Sequence, residues 1–168
     1  MVKAKSTSRQ SALTAAVITV SDSAYRGRRT DQSGPAVCMR LAAAGFSIVG
    51  TEIVPDESAA IARSLIRWCR RAQLAVTTGG TGMAARDVTP EATQRVCRRL
   101  VPGIPERMRT QTGKRAPFAA LSRAVCGIRG RSLVLNLPGS LKGASESLAA
   151  VIDLLPHALE LLRGETEH

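Results

Sequence analysis

The sequence predicts an α/β protein, a three-layer sandwich with a mostly parallel central sheet covered by helices on both faces. Two observations carry this. Short apolar runs alternate along the chain with segments of helical period, as expected where strands are buried on both faces and crossover helices cover them. One of these runs, residues 74–78, enters a glycine-rich turn followed by a helix-start signal, and open α/β sheets bind ligands beyond such strand ends.

Residues 15–20 (AAVITV) form the first strand, and 35–44 read as a helix with Pro35 in its first turn and Gly45 as a stop. Phe46–Val54 is the second strand. Residues 59–72 place Ile61, Leu65, Ile66 and Trp68-Cys69 at nearly the 3.6-residue period of a helix. Leu74–Thr78 is the third strand, and 91–100 and 104–112 look helical on either side of Pro102-Gly103. Residues 123–126 and Ser132–Leu137 read as short strands flanking a turn, Gly127-Ile128-Arg129-Gly130. Residues 145–154 and 157–162 close the chain as helices parted by Pro156. Residues 1–13 are polar and cationic and are expected to form a disordered basic tail, leaving 14–168 as a single domain.

Composition narrows the partners. No apolar run reaches the length of a membrane span. The four cysteines lie about 30 residues apart without a C-x-x-C pair, which argues against a zinc knuckle or redox dithiol and points to reduced thiols in the cytoplasm. The net charge of +11 attracts anions. Aromatic residues make up only 2%, too few for stacking platforms, and the arginines are scattered, so nucleic acid is not the expected ligand.

The richest stretch is 74–92, LAVTTGGTGMAARDVTPEA. Glycines let backbone N–H groups approach anionic oxygens, and the helix after Thr89-Pro90-Glu91 adds partial positive charge. A Walker A loop is excluded, because the chain's single Gly-Lys pair, Gly113-Lys114, is preceded by Met108 and followed by Arg115. Gly80, Gly82 and Ala85 fit G-x-G-x-x-A, yet Pro90 interrupts the long helix that a dinucleotide fingerprint should open. A second glycine turn, Pro138-Gly139-Ser140, also leads from a strand to a helix, with Lys142 as a point charge. Four of the five aspartates, Asp22, Asp31, Asp56 and Asp87, follow predicted strands. Carboxylates gathered at one sheet edge suit Mg²⁺ bound jointly with substrate phosphates.

Together TVSDS (19–23), DQSGP (31–35), VPD (54–56), TTGGTG (77–82), RDVTPEA (86–92), LSRA (121–124) and NLPGS (136–140) resemble, in order, the Mog/MoaB family of molybdenum-cofactor biosynthesis proteins, including the G domains of plant and animal homologues. The resemblance implies molybdopterin adenylyltransferase activity with ATP and Mg²⁺; the alternative is a catalytically weak MoaB-like molybdopterin-binding or carrier protein of the same fold. It implies that Gly79, Gly80, Thr81 and Gly82 hold the nucleotide. Asp56 and Asp87 would be the catalytic carboxylates and the metal ligands. Asp22, Ser23, Ser122, Arg123, Pro138, Gly139 and Ser140 would meet molybdopterin. It further implies a homo-oligomer, trimer or hexamer, and a MoeA-type molybdate insertase as partner. Leu141 departs from the proline that members often carry after PGS.

Overall fold

The computed structural model describes residues 12–164. Six strands form one sheet in the order β2-β1-β3-β6-β5-β4. They are β1 (Leu13–Val20), β2 (Phe46–Val54), β3 (Leu74–Thr78), β4 (Arg99–Leu100), β5 (Cys126–Arg129) and β6 (Ser132–Leu137). β2, β1, β3 and β6 run parallel; β5 pairs antiparallel with β6, and the edge strand β4 pairs antiparallel with β5 and so shares the direction of the other four. The expected fold class therefore holds. The helices are α1 (Asp22–Tyr25), α2 (Ser33–Ala43), α3 (Ser58–Trp68), α4 (Thr89–Val96), α5 (Gly103–Gly113), α6 (Leu141–Ala149) and α7 (Leu155–Arg163).

The central strands are apolar at both parities of the period-two pattern because each face meets a different core. On one side Ala15, Val17, Leu74, Val76, Leu133 and Leu135 pack against α2, α5, α6 and α7 through Val37, Leu41, Met108, Leu148 and Leu159. On the other, Ile18, Val20, Ala75 and Val134 meet Ile61, Leu65, Ala92 and Val96 of α3 and α4. A fully buried Leu or Ile side chain contributes about 1.5–3 kcal/mol by leaving water, so these two layers fix the strand order.

The chain leaves β1 for β2 on one side and returns to β3 on the other, so the strand order reverses between β1 and β3. That reversal opens a crevice at the carboxyl ends of the strands. Loops 21–32, 55–57, 79–88 and 138–140 all issue there.

Several boundaries differ from the expected ones. The hairpin strand is Cys126–Arg129, not 123–126, and the turn shrinks to Gly130-Arg131. Gly130 supplies the positive φ (+59°) that a tight hairpin needs. Gly127 lies inside the strand, paired with Val134 and Leu100, and serves there as a residue without a side chain: a Cβ would come within 2.7 Å of Cys97 Sγ. The helix expected over 91–100 ends at Val96, since Cys97 turns extended and Arg99 pairs with Ile128. α6 starts at Leu141, directly after the PGS turn, where Ser140 accepts a bond from the Gly143 N–H at 3.1 Å. Pro156 does not separate the last two helices; it sits in the first turn of α7, and residues 150–154 make the break. Leu13, assigned to the tail from sequence, opens β1; residues 1–11 of that tail lie outside the described residues.

Candidate active cleft

The two glycine turns meet. Gly79 ends β3 with φ +99° and Gly80 follows with φ +64°, a left-handed pair that only glycine adopts cheaply. A Cβ on Gly79 would lie 2.2 Å from the Val20 carbonyl oxygen, and one on Gly139 would lie 3.1 Å from the Gly79 Cα. The ends of β1, β3 and β6 thus touch backbone to backbone. The Gly79 N–H donates to the Leu137 carbonyl at 3.0 Å, and Thr89 Oγ1 donates to the Gly79 carbonyl at 2.9 Å. Gly79 is therefore a joint between loops and has no free donor. The N–H groups of Gly80, Thr81 and Gly82 take no acceptor within the described residues, and neither do those of Leu141 and Lys142 at the start of α6.

A buried polar frame holds both turns from below. Asn136, fully buried, donates through Nδ2 to Thr77 Oγ1 (3.0 Å) and Thr93 Oγ1 (2.9 Å) and accepts from the Val125 N–H at 3.2 Å. Each side-chain polar atom of Asn136, Thr77 and Thr93 in this frame has a partner, which an apolar strand interior requires.

Two cavities flank the joint and share Gly80, Gly139 and Ser140. The larger, about 510 Å³, includes Asp87, Arg109, Phe118, Ser122, Pro138 and Lys142 in its lining. The smaller, about 290 Å³, includes Ser21, Arg29, Asp31, Asp56 and Gly79. The two carboxylates expected to be catalytic are therefore divided, Asp87 in the larger cavity and Asp56 in the smaller.

Asp22 and Asp56 lock together. The Asp22 N–H donates to Asp56 Oδ2 at 2.7 Å, and the Asp56 N–H donates to Asp22 Oδ1 at 3.2 Å. Arg86 Nε donates to Asp22 Oδ2 at 2.7 Å. Partial burial works to raise the Asp22 carboxyl, but the Asp56 N–H and Arg86 outweigh it and hold the group below the usual carboxylate range. Asp56 goes the other way. Burial, and then the charges of Asp22 and Asp87, raise it against the opposing pull of the Asp22 N–H and Arg86. Asp87 accepts from the Ala84 N–H at 2.9 Å through Oδ2. One oxygen of Asp56 and one of Asp87 remain without a hydrogen bond among the described residues.

The remaining sequence candidates divide. Ser122, Pro138, Gly139 and Ser140 line the larger cavity. Arg123, expected to meet molybdopterin, lines neither cavity and braces the first glycine loop. Its Nε donates to the Gly82 carbonyl at 2.7 Å, and its Nη atoms reach the Asp87 carbonyl and Glu91. Asp22 and Ser23 line neither cavity; Asp22 positions Asp56, and Ser23 Oγ lies 3.1 Å from Ser21 Oγ. Asp31 is taken up by the start of α2, accepting from Thr19 Oγ1 (2.6 Å), Ser33 Oγ (3.2 Å) and the Gly34 N–H (3.1 Å). Sequence reasoning passed over Arg29, Arg86, Arg109 and Phe118. Arg86 adjoins Asp87 in the RDVTPEA stretch, which was its one signal; the others lie in loops or helices with no pattern marking them.

No thiol in the molecule is poised as a nucleophile: burial pushes Cys69 and Cys126 up to about 12. Among the described residues no helix is long and apolar enough to cross a membrane.

The family model described as "Probable molybdopterin binding domain" (MoCF_biosynth) matches residues 16–157. A Helicobacter pylori protein named molybdopterin adenylyltransferase is 44% identical over 152 residues, covering 88% of this chain and 86% of its own. The Escherichia coli protein of the same name is 38% identical over 165 residues, covering 88% and 84%. The crystal structure of the molybdopterin biosynthesis enzyme MoaB from Thermus thermophilus superposes with a TM-score of 0.86 at 49% identity, over 90% of this chain and 97% of that one. With a family model spanning most of its length and relatives matched nearly end to end, the chain belongs to the MoCF_biosynth family of molybdopterin-binding domains.

Proposed function

We infer that the chain is a molybdopterin adenylyltransferase, moving AMP from ATP to the terminal phosphate of molybdopterin. The observation that carries this reading is the contact of the two glycine turns at Gly79 and Gly139, with a cavity on each side, Asp87 lining one and Asp56 the other. That is the arrangement a reaction between two phosphorylated substrates requires. An oxygen of the pterin phosphate attacks the α-phosphorus of ATP, the bond from that phosphorus to the bridging oxygen breaks, and pyrophosphate leaves with the electron pair. The attacking phosphate is already ionised at neutral pH, so no general base is needed, and positioning and charge neutralisation do the catalysis.

The free N–H groups of Gly80, Thr81 and Gly82 hold the nucleotide phosphates. Gly79 orients them through its bond to Leu137. The larger cavity takes the pterin, with Ser122, Pro138, Gly139 and Ser140 around it, Phe118 offering an aromatic face and Lys142 a charge to the phosphate. Asp22, Ser23 and Arg123 act from behind, keeping Asp56 and the glycine loop in place. The free oxygens of Asp56 and Asp87 fit Mg²⁺, which keeps few protein ligands and completes its shell with substrate oxygens and water. Among the described residues no three carboxylate, imidazole or thiolate groups converge to cage an ion alone. When bound, the ion neutralises phosphate charge at the reacting centre. A homo-oligomer, a MoeA-type insertase acting on the product, and a cytoplasmic location complete the reading.

The test incubates the protein with molybdopterin, ATP and Mg²⁺ and follows pyrophosphate and adenylylated pterin. Product formation that falls by at least about a hundredfold in Asp87→Asn, with an unchanged thermal midpoint, is the expected result. Pterin binding without product from the wild-type protein would leave a binding or carrier role instead.

A further inference from the structure

The charge that the cleft does not use collects at the opposite end of the sheet. A cavity of about 570 Å³ is lined by Arg70, Arg98, Arg99, Arg129 and Arg131, with Cys69, Ile128 and Gly130 completing the wall. Arg70 follows α3, Arg98 links α4 to β4, Arg99 opens β4, Arg129 ends β5, and Arg131 lies in the β5–β6 turn. These positions surround the amino ends of β3 and β6, whereas the cleft lies beyond the carboxyl ends. The arginines that looked scattered in sequence are therefore gathered by the fold.

The frame under them is fixed. The Arg98 N–H donates to the Ile128 carbonyl at 2.9 Å. Ser132 Oγ is 2.8 Å from both the Cys69 and Ala72 carbonyls and ties the hairpin to the end of α3. Arg129 Nη1 donates to the Val96 carbonyl at 2.8 Å.

Internal compensation is too small to explain the cluster. Arg67, Arg86, Arg107 and Arg123 elsewhere each pair with a carboxylate, but none of the five does among the described residues, and the lining contains no acid. The ends of α3 and α4 approach the site, and each helix C-terminus carries roughly half a negative charge. About one charge of the five is offset, so most of the positive potential faces the cavity.

We propose that this cavity binds a chain of linked phosphoryl groups, at a site separate from the adenylyl-transfer cleft. Five arginines lining one cavity match an anion whose charge is likewise concentrated. A nucleic-acid strand spreads single charges along its length and is gripped by stacking on aromatic side chains, and this wall has none. The linked phosphates come either from free inorganic polyphosphate or from the tail of a nucleoside triphosphate.

Calorimetric titration of the full chain with inorganic triphosphate tests this, comparing wild type with the Arg98→Gln/Arg131→Gln double variant. Both residues are exposed, so the fold should survive, and circular dichroism checks that it does. The expected result is an affinity at least about tenfold lower in the double variant, largely restored in Arg98→Lys/Arg131→Lys, with adenylyl transfer at saturating substrates unchanged in both. ATP titrated in parallel distinguishes the sources: a site that loses ATP as it loses triphosphate takes the nucleotide tail, and one that responds to triphosphate alone takes free polyphosphate. No binding by wild type, or equal affinity in the Gln variant, would overturn the proposal. So would tighter binding of single-stranded DNA with a steep salt dependence, which would make the surface a nucleic-acid face.

Discussion

Replacing Asn136 by alanine should destabilise the protein and disable the cleft together. The Asn136 side chain makes three hydrogen bonds, to Thr77, Thr93 and the Val125 N–H, at a position with no solvent exposure. At a net value of about 1 kcal/mol each, their loss costs about 3 kcal/mol before any contribution from the vacated space. For a domain of this size each kcal/mol lowers the melting midpoint by about 2–4 °C, so a fall of about 6–12 °C is expected. Asn136 also sits immediately before Leu137, whose carbonyl accepts from the Gly79 N–H. Pyrophosphate release measured well below the melting point should therefore fall as well. Thr93→Val, which keeps the shape and removes one of the three bonds, should lose about 1 kcal/mol. Thermal unfolding followed by circular dichroism reads both variants. A midpoint for Asn136→Ala within about 2 °C of wild type would refute the view that this network carries the two turns.

Three further outcomes follow from the same geometry. Arg86→Ala removes a positive charge that holds the raised Asp56 carboxyl down; because the proposed role needs Asp56 ionised and activity is lost as pH falls through its value, the acid limb of kcat/KM should move to higher pH, and an unmoved limb would separate Asp56 from the rate. Leu141→Pro should be tolerated or stabilise by about 0.4–1 kcal/mol in thermal unfolding, since Leu141 is the first residue of α6, its N–H has no acceptor among the described residues, and Ser140 (φ −75°, ψ 143°) already adopts the extended conformation that precedes proline. Phe118→Ala, truncating an 82% exposed ring in the larger cavity, should raise KM for molybdopterin several-fold and leave KM for ATP unchanged, with the opposite split exchanging the two substrate cavities.

Much of the fold was legible because burial on two faces leaves a plain signature. Strands such as Leu74–Thr78 are apolar at every position that meets a core, and alternation with helical segments dictates crossovers and hence a parallel sheet. The misplaced elements are those whose local signals were weaker than a distant contact. Gly127 looked like turn chemistry, yet Cys97 above it leaves no room for a side chain and the strand runs straight through. Arg99-Leu100 had helical composition, and pairing with β5 overrode it.

In the cleft, the sequence by itself determined the chemistry on offer: glycines where backbone must approach anions, and carboxylates after strands. Tertiary structure alone decided how that chemistry is divided. Gly79 and Gly139 lie 60 residues apart in sequence and touch, so one glycine of the loop became a joint while its neighbours kept their donors. Arg123 was drawn into bracing that loop, and Asp22 into aligning Asp56. Five arginines spread from position 70 to 131 converge on one cavity at the far end of the sheet. Residue type and local pattern are written along the chain, but which donors are already spent, and which like charges are forced together, depends on contacts that exist only once the strands have been ordered.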